Sequence, residues 1–181
     1  MAGQKIKTMK SRLFITCMIL TISSFVVAQE TDQSIEWLSW EEAMERQEIE
    51  PKKIIVDVYT SWCGYCKKMD KNTFTDETVI SSIQDGFYAV KFNAEQREDI
   101  EFSGNTFKFL PDAGRRGVHE LAVALLDSRM GYPSFVYFDE EMARIMISPG
   151  YKEAPAMLKE LRFAREEIYK TSSWKDYKNA N

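Results

Sequence analysis

The sequence predicts an α/β protein built on a central mixed sheet with helices on both faces, and three observations predict it. Residues 53–59, Lys-Ile-Ile-Val-Asp-Val-Tyr, form an apolar, β-branched run with almost no alternation, the pattern of a strand covered on both sides. Residues 87–92 read as another strand, reached through a helical segment, and the order strand, helix, strand implies a parallel pair joined by a right-handed crossover. Residues 135–138 and 143–147 flank a turn at Asp139-Glu140-Glu141, which makes a terminal hairpin.

With 181 residues and a hydrophobic share of 44%, the chain has material for one core, as a single domain or a domain with an extension. Its first 28 residues differ from the rest. Lys5, Lys7, Lys10 and Arg12 precede an apolar run over residues 13–27, and Val26-Val27-Ala28 ends in a small residue that a signal peptidase accepts. The run is shorter than the roughly 20 apolar residues of a membrane span, so residues 1–28 are expected to be a cleaved secretory signal. Cys17 sits in that run behind Phe14-Ile15-Thr16, a poor context for lipid attachment, and reads as a small apolar residue of the leader. Membrane contact is expected only if Cys17 is lipidated or the leader is retained. Without residues 1–28 the chain loses four of its 24 basic residues and none of its 28 acidic ones, so the net charge moves from −4 to −8. Such an acidic exported domain is not expected to bind nucleic acid. Outside the cytoplasm its disulfides persist unless something reduces them.

Residues 29–34 are polar, and Ile35-Glu36-Trp37 predicts a short edge strand. Ser39 followed three residues on by Glu42 is a capping box, which starts a helix over residues 40–47. Residues 54–59 are the candidate central strand. The next helix is predicted to run to Lys71 and break at Asn72-Thr73-Phe74-Thr75; Thr75 with Asp76 then caps a second segment through Val79, Ile80 and Ile83. Residues 96–118 read as an insertion with a small hairpin, 100–102 against 106–109 around Ser103-Gly104-Asn105, closed by Pro111-Asp112-Ala113-Gly114. A helix carrying Leu121, Ala122, Leu125 and Leu126 follows. After the terminal hairpin Gly150 breaks the last strand, and Met157, Leu161, Ala164 and Ile168 recur at helical spacing. The domain is expected to end near residue 170, with a polar, fraying tail over 171–181.

Directly behind the central strand stands Ser61-Trp62-Cys63-Gly64-Tyr65-Cys66-Lys67-Lys68-Met69. Two cysteines two residues apart at a helix start can close a disulfide, and the helix N-terminus favours negative charge on the first sulfur. Zinc is the main rival for such a pair, but a closed site takes four ligands and the exported chain adds only His119, so no metal is expected. His119 itself reads as a surface or capping residue. A purely structural disulfide is weak here, because so small a loop removes little unfolded-state entropy. The pair is therefore read as a redox switch that needs no cofactor beyond its own disulfide.

The element order, the Trp62-Cys63-Gly64-Tyr65-Cys66 motif behind a buried strand, and Pro133 opening the terminal hairpin together resemble the thioredoxin superfamily over residues 35–169. Asp57, Trp62, Cys63, Cys66, Lys91, Pro133 and Gly150 fall where thioredoxins place their corresponding residues, and residues 62–69 look most like exported, periplasmic thioredoxin-like proteins of Gram-negative bacteria. The resemblance implies the thioredoxin fold and a thiol-disulfide oxidoreductase working in the periplasm. Cys63 would be the nucleophile and Cys66 the resolving thiol, an order that suits the helix terminus, where Cys63 gains most from unpaired N–H groups. Asp57 would lie beneath the cysteines and exchange a proton with the resolving thiol, or else be a structural carboxylate satisfied by Lys91. Pro133 is implied to be cis, with the backbone of Tyr132 pairing with an incoming peptide and Trp62 shielding the thiols. Lys91 and Gly150 take supporting roles.

Three departures from thioredoxin bear on function. Tyr65 replaces the proline between the cysteines, which should make the dithiol less reducing and looks like bacterial disulfide isomerases. Tyr132 is bulkier than usual before the cis-proline, so Trp62, Tyr65, Tyr132 and Pro133 are the expected substrate-binding residues. The 96–118 insertion is a lid, a partner surface or a decoration. Reduction of disulfides in cysteine-containing exported proteins, fed by a membrane-bound thiol reductant, leads; isomerase, oxidant and non-catalytic peptide-binding module are the alternatives.

Overall fold

The computed structural model describes residues 34–180 together with Gly3. Gly3 apart, the expected leader, with Cys17, lies outside the described residues. In chain order the elements are β1 (Trp37–Leu38), α1 (Trp40–Ile49), β2 (Lys53–Tyr59), α2 (Gly64–Lys68), α3 (Glu77–Gly86), β3 (Phe87–Asn93), β4 (Ile100–Phe102), β5 (Asn105–Phe107), β6 (Phe109–Leu110), β7 (Val118–His119), α4 (Glu120–Leu125), β8 (Ser134–Phe138), β9 (Arg144–Pro149), α5 (Ala154–Arg165) and α6 (Trp174–Ala180). The main sheet runs β1-β3-β2-β8-β9, parallel across its first three strands and antiparallel across the last three.

β2 lies at the centre, as a run that is apolar on both faces but for Asp57 requires. Its alternate residues serve two cores. Ile54, Val56 and Val58 face a layer with Trp40 and Ala43 of α1 and Leu121 and Leu125 of α4. Ile55 faces the other layer, with Val79, Ile80 and Ile83 of α3 and Met157 and Leu161 of α5. Asp57 shares the face of Ile55, so a fully buried carboxylate (0% exposed) stands in the second layer.

Local chemistry places the helix starts. Ser39 Oγ accepts from Glu42 N (3.1 Å) and Glu42 Oε2 accepts from Ser39 N (2.7 Å), closing the capping box of α1. Asp76 Oδ1 accepts from Thr78 N and Val79 N and caps α3 alone; Thr75, expected to share the cap, instead donates its hydroxyl to Lys71 O.

Four expectations are corrected. The helix does not break at Asn72: a π-helical turn, Met69–Thr73, carries it on, with Phe74 N donating to Met69 O. The second hairpin strand does not continue through Phe109. The chain changes partner at Lys108, whose N–H and C=O are taken by Glu120, and β6 then pairs with β7, so Pro111 to Gly117 form the tip of a second hairpin. Ile168 is not on the last helix, because Glu167 takes a left-handed φ of 56° and ends α5. The tail does not fray: Ser173 Oγ accepts from Asp176 N, and α6 lays Trp174 and Tyr177 against Phe163, each at 5.3 Å between ring centroids. Phe163 is 2% exposed for this reason. The described residues 34–180 fall within one compact unit.

Candidate active site

β2 ends at Tyr59, and the chain turns through Thr60, Ser61 and Trp62 into α2. Cys63 N donates to Thr60 O (3.1 Å), and Cys63 becomes the N-cap of α2. Its Sγ accepts from Cys66 N (3.0 Å), so a helix-terminal amide points at the sulfur as an N-cap oxygen would receive it. The π-helical turn extends the helical stretch behind the sulfur to ten residues, 64–73. Cys63 and Cys66 are joined as a disulfide with Cα atoms 5.3 Å apart. Cys63 is the more exposed of the two, 5% against 1%.

Asp57 Oδ2 accepts from Lys91 Nζ (2.6 Å) across the β2–β3 register, and its Oδ1 has no hydrogen-bond partner. Burial raises its pKa from 3.8 to about 6, against the pull of Lys91. Lys91 is shared: it also pairs with Asp70 of the π-helical turn and sits over the ring of Trp37 at 4.7 Å. Burial pulls the Lys91 ammonium down, but the two carboxylates outweigh it and hold its pKa above the ordinary value. The structural alternative for Asp57, a partnership with Lys91, is thus realised together with the raised pKa that proton exchange requires.

Tyr132–Pro133 is a cis peptide, and Gly150 N donates to Pro133 O (2.8 Å), so Gly150, at φ 90°, ties the end of β9 to the proline. Ser134 is in register with Val58, which brings Pro133 beside the strand end that leads to Cys63. The ring of Tyr132 meets that of Trp62 edge-on at 6.0 Å. Trp62 is half exposed, and its Nε1 donates to Glu95 Oε1 (2.7 Å). Tyr65 does not join them: it is 63% exposed and its ring lies 5.9 Å from that of Tyr151. His119 is a cap rather than a surface residue. It is fully buried, its Nδ1 accepts from Leu121 N, and its Nε2 donates to Glu98 O. Among the described residues no group of three or more His, Cys, Asp or Glu side chains is arranged to hold a metal.

Asp70, Glu95, Arg115 and Arg116 were not foreseen near the site. Asp70 stands four residues after Cys66 on the same helical stretch, a spacing that puts both on one face and offered a signal. The other three depend on contacts between distant segments and left none.

Strand order, helix layers, an N-terminal Cys-x-x-Cys on the helix behind the central strand and a cis-proline before β8 define a thioredoxin-fold protein with a disulfide-capable pair. Solved structures agree on the fold. A thioredoxin-fold protein from Helicobacter pylori superposes with a TM-score of 0.56 at 18% identity, covering 72% of this chain and 80% of its own. A protein from Bacteroides thetaiotaomicron described as a putative disulphide-isomerase gives 0.51 at 24% identity, covering 72% and 93%. Within this class the chain belongs to the family Thioredox_DsbH, described as "Protein of unknown function, DUF255", whose profile matches residues 17–173. Spermatogenesis-associated protein 20 of Rattus norvegicus is 26% identical over 114 residues, 62% of this chain and 14% of that protein. The chain spans about a tenth to a seventh of the length of the curated relatives it matches first. Among the described residues no helix is long and apolar enough to cross a membrane.

Proposed function

We propose that the chain is a thiol-disulfide oxidoreductase that acts after export to the periplasm and reduces disulfides in extracytoplasmic proteins. The observation that carries this reading is Cys63 at the N-cap of α2, its sulfur 3.0 Å from the Cys66 amide. A thiolate there gains the hydrogen bond and the helix dipole, both of which favour negative charge on the sulfur. In the reduced protein the Cys63 thiolate attacks a substrate disulfide, forms a mixed disulfide and releases one substrate thiolate. The Cys66 thiol then passes its proton to Asp57, whose Oδ1 is unoccupied and whose pKa of about 6 suits it to neutral pH. The Cys66 thiolate attacks Cys63 Sγ, closes the internal disulfide and expels the second substrate thiolate. Two electrons pass to the substrate, and a membrane-bound dithiol reductant restores the pair.

Insulin-disulfide reduction with a Cys63→Ser control tests this. Turnover by the native protein that the substitution abolishes is the expected result; no native turnover, or turnover that survives, defeats it. The Gly64-Tyr65 pair between the cysteines favours disulfide isomerase as the second reading, and faster reactivation of scrambled ribonuclease than reduction of insulin would select it.

A further inference from the structure

The 96–118 insertion builds a wall beside the cysteine loop. β6 and β7 form its second hairpin, whose tip bends back through Gly114 and Gly117 at φ 72° and 76°. A Cβ at Gly117 would stand 2.2 Å from Phe109 Cζ, so the tip closes tightly on its own strand. The Arg116 guanidinium is thereby carried to 5.9 Å from the Trp62 ring, one residue from Cys63. Between this wall and Tyr132 opens a groove of about 610 Å³ lined by Trp62, Arg115, Arg116, Val123, Met130 and Tyr132.

Its two chemistries are distinct. Trp62 and Met130, 50% and 40% exposed, present two large apolar side chains to the same groove. Arg115 and Arg116 take part in no ion pair among the described residues, and the one acidic side chain on the groove, Glu95, receives the Trp62 indole N–H. Two unneutralised guanidiniums in a chain of net charge −4 are a local reversal of sign.

We propose that this groove selects disulfide partners whose polypeptide carries an apolar side chain and a carboxylate within a few residues of the attacked cysteine. The inference rests on the reading that Cys63 attacks substrate disulfides. Capture at Cys63 pins one substrate residue beside Trp62. At about 3.3 Å per residue, a neighbour two or three positions along reaches the arginine wall. The apolar side chain fills the floor of Trp62, Met130 and Tyr132, and the carboxylate meets Arg115 and Arg116, the residue type suited to bidentate carboxylate contacts.

Three cystine-linked peptides with leucine beside the cysteine, differing only in Asp, Asn or Lys two residues away, provide the test. With the native protein, kcat/KM should fall in the order Asp, Asn, Lys, with about tenfold between the extremes at low salt. The ratio should shrink in 0.5 M sodium chloride. Arg115→Gln/Arg116→Gln should bring it close to one, and Arg115→Lys/Arg116→Lys should retain most of it. Equal rates for the three peptides, or a preference that survives the glutamine pair, overturn the groove assignment. Failure of the native protein to reduce even the Asn peptide removes the oxidoreductase reading itself, and the groove's role with it.

Discussion

Replacing Asp57 by asparagine should flatten the dependence of stability on pH. The carboxyl is fully buried, and its pKa rises from 3.8 to about 6, first through burial, against the opposing charge of Lys91. A carboxyl whose folded pKa lies above its unfolded value holds its proton more tightly in the native state. Its contribution is therefore most favourable below pH 3.8, and stability is lost as pH rises through about 6. A shift of roughly two units at about 1.4 kcal/mol per unit amounts to about 3 kcal/mol. Lys91, raised above 10.5, stays charged throughout this window and adds no slope. Urea unfolding of oxidised native and Asp57→Asn proteins, followed by tryptophan fluorescence at pH 4 and pH 8, isolates the effect, because groups common to both cancel in the difference. The variant should gain at least about 2 kcal/mol relative to the native protein between the two pH values. A difference constant to within about 0.5 kcal/mol would mean that Asp57 ionises as easily folded as unfolded, and its place as proton acceptor for Cys66 would fall with it.

Four further outcomes follow from particular contacts. Cys66→Ser should trap a mixed disulfide at Cys63, seen as a reductant-sensitive covalent adduct with a disulfide peptide on a gel. Gly117→Ala places a side chain at φ 76° and 2.2 Å from Phe109 Cζ; it should cost about 1–3 kcal/mol and speed proteolysis of the 111–117 tip, and an unchanged melting temperature would argue against the close approach. Tyr177→Ala removes a ring packed on Phe163 and should cost about 3 kcal/mol, whereas a cost under about 0.5 kcal/mol would mean α6 is not docked. Lys152 and Glu160, 8% and 3% exposed, form a buried pair 3.6 Å apart, and Lys152 also donates to the carbonyls of Ser148, Pro149 and Gly150. Lys152→Met alone should therefore cost about 3–5 kcal/mol and the double change Lys152→Met/Glu160→Leu less, which a double-mutant cycle measures.

The features legible in the sequence are those decided within a few residues. Ser39 and Glu42 cap each other, Asp76 caps the helix it precedes, and the glycine turn expected over Ser103-Gly104-Asn105 forms, one residue shorter, with positive φ at Ser103 and Gly104 and Asn105 already in the strand. The largely apolar run of β2, with almost no alternation, announced its central place, and Cys63 and Cys66 announced the site, because their chemistry depends on spacing along one helix. β6 and β7 were not legible: two-residue strands carry no periodicity, and their register is set by contacts with Glu120 and Ala94. The buried side of α6 was hidden for a related reason, since Trp174 and Tyr177 make no apolar stripe alone, and Tyr177 is buried, with Trp174 packed beside it, only because α5 offers Phe163.

The amino-acid sequence by itself determined a central strand, a thiol pair on a helix terminus and the buried acid behind them, each a product of burial pattern or short-range geometry. The tertiary structure alone decided which charges surround those thiols: Asp70 sharing Lys91, Glu95 holding Trp62, and Arg116, 54 residues along the chain, brought over the same indole by its hairpin. Electrostatic neighbourhoods are set by distance in space, and the chain must close its long loops before those distances exist.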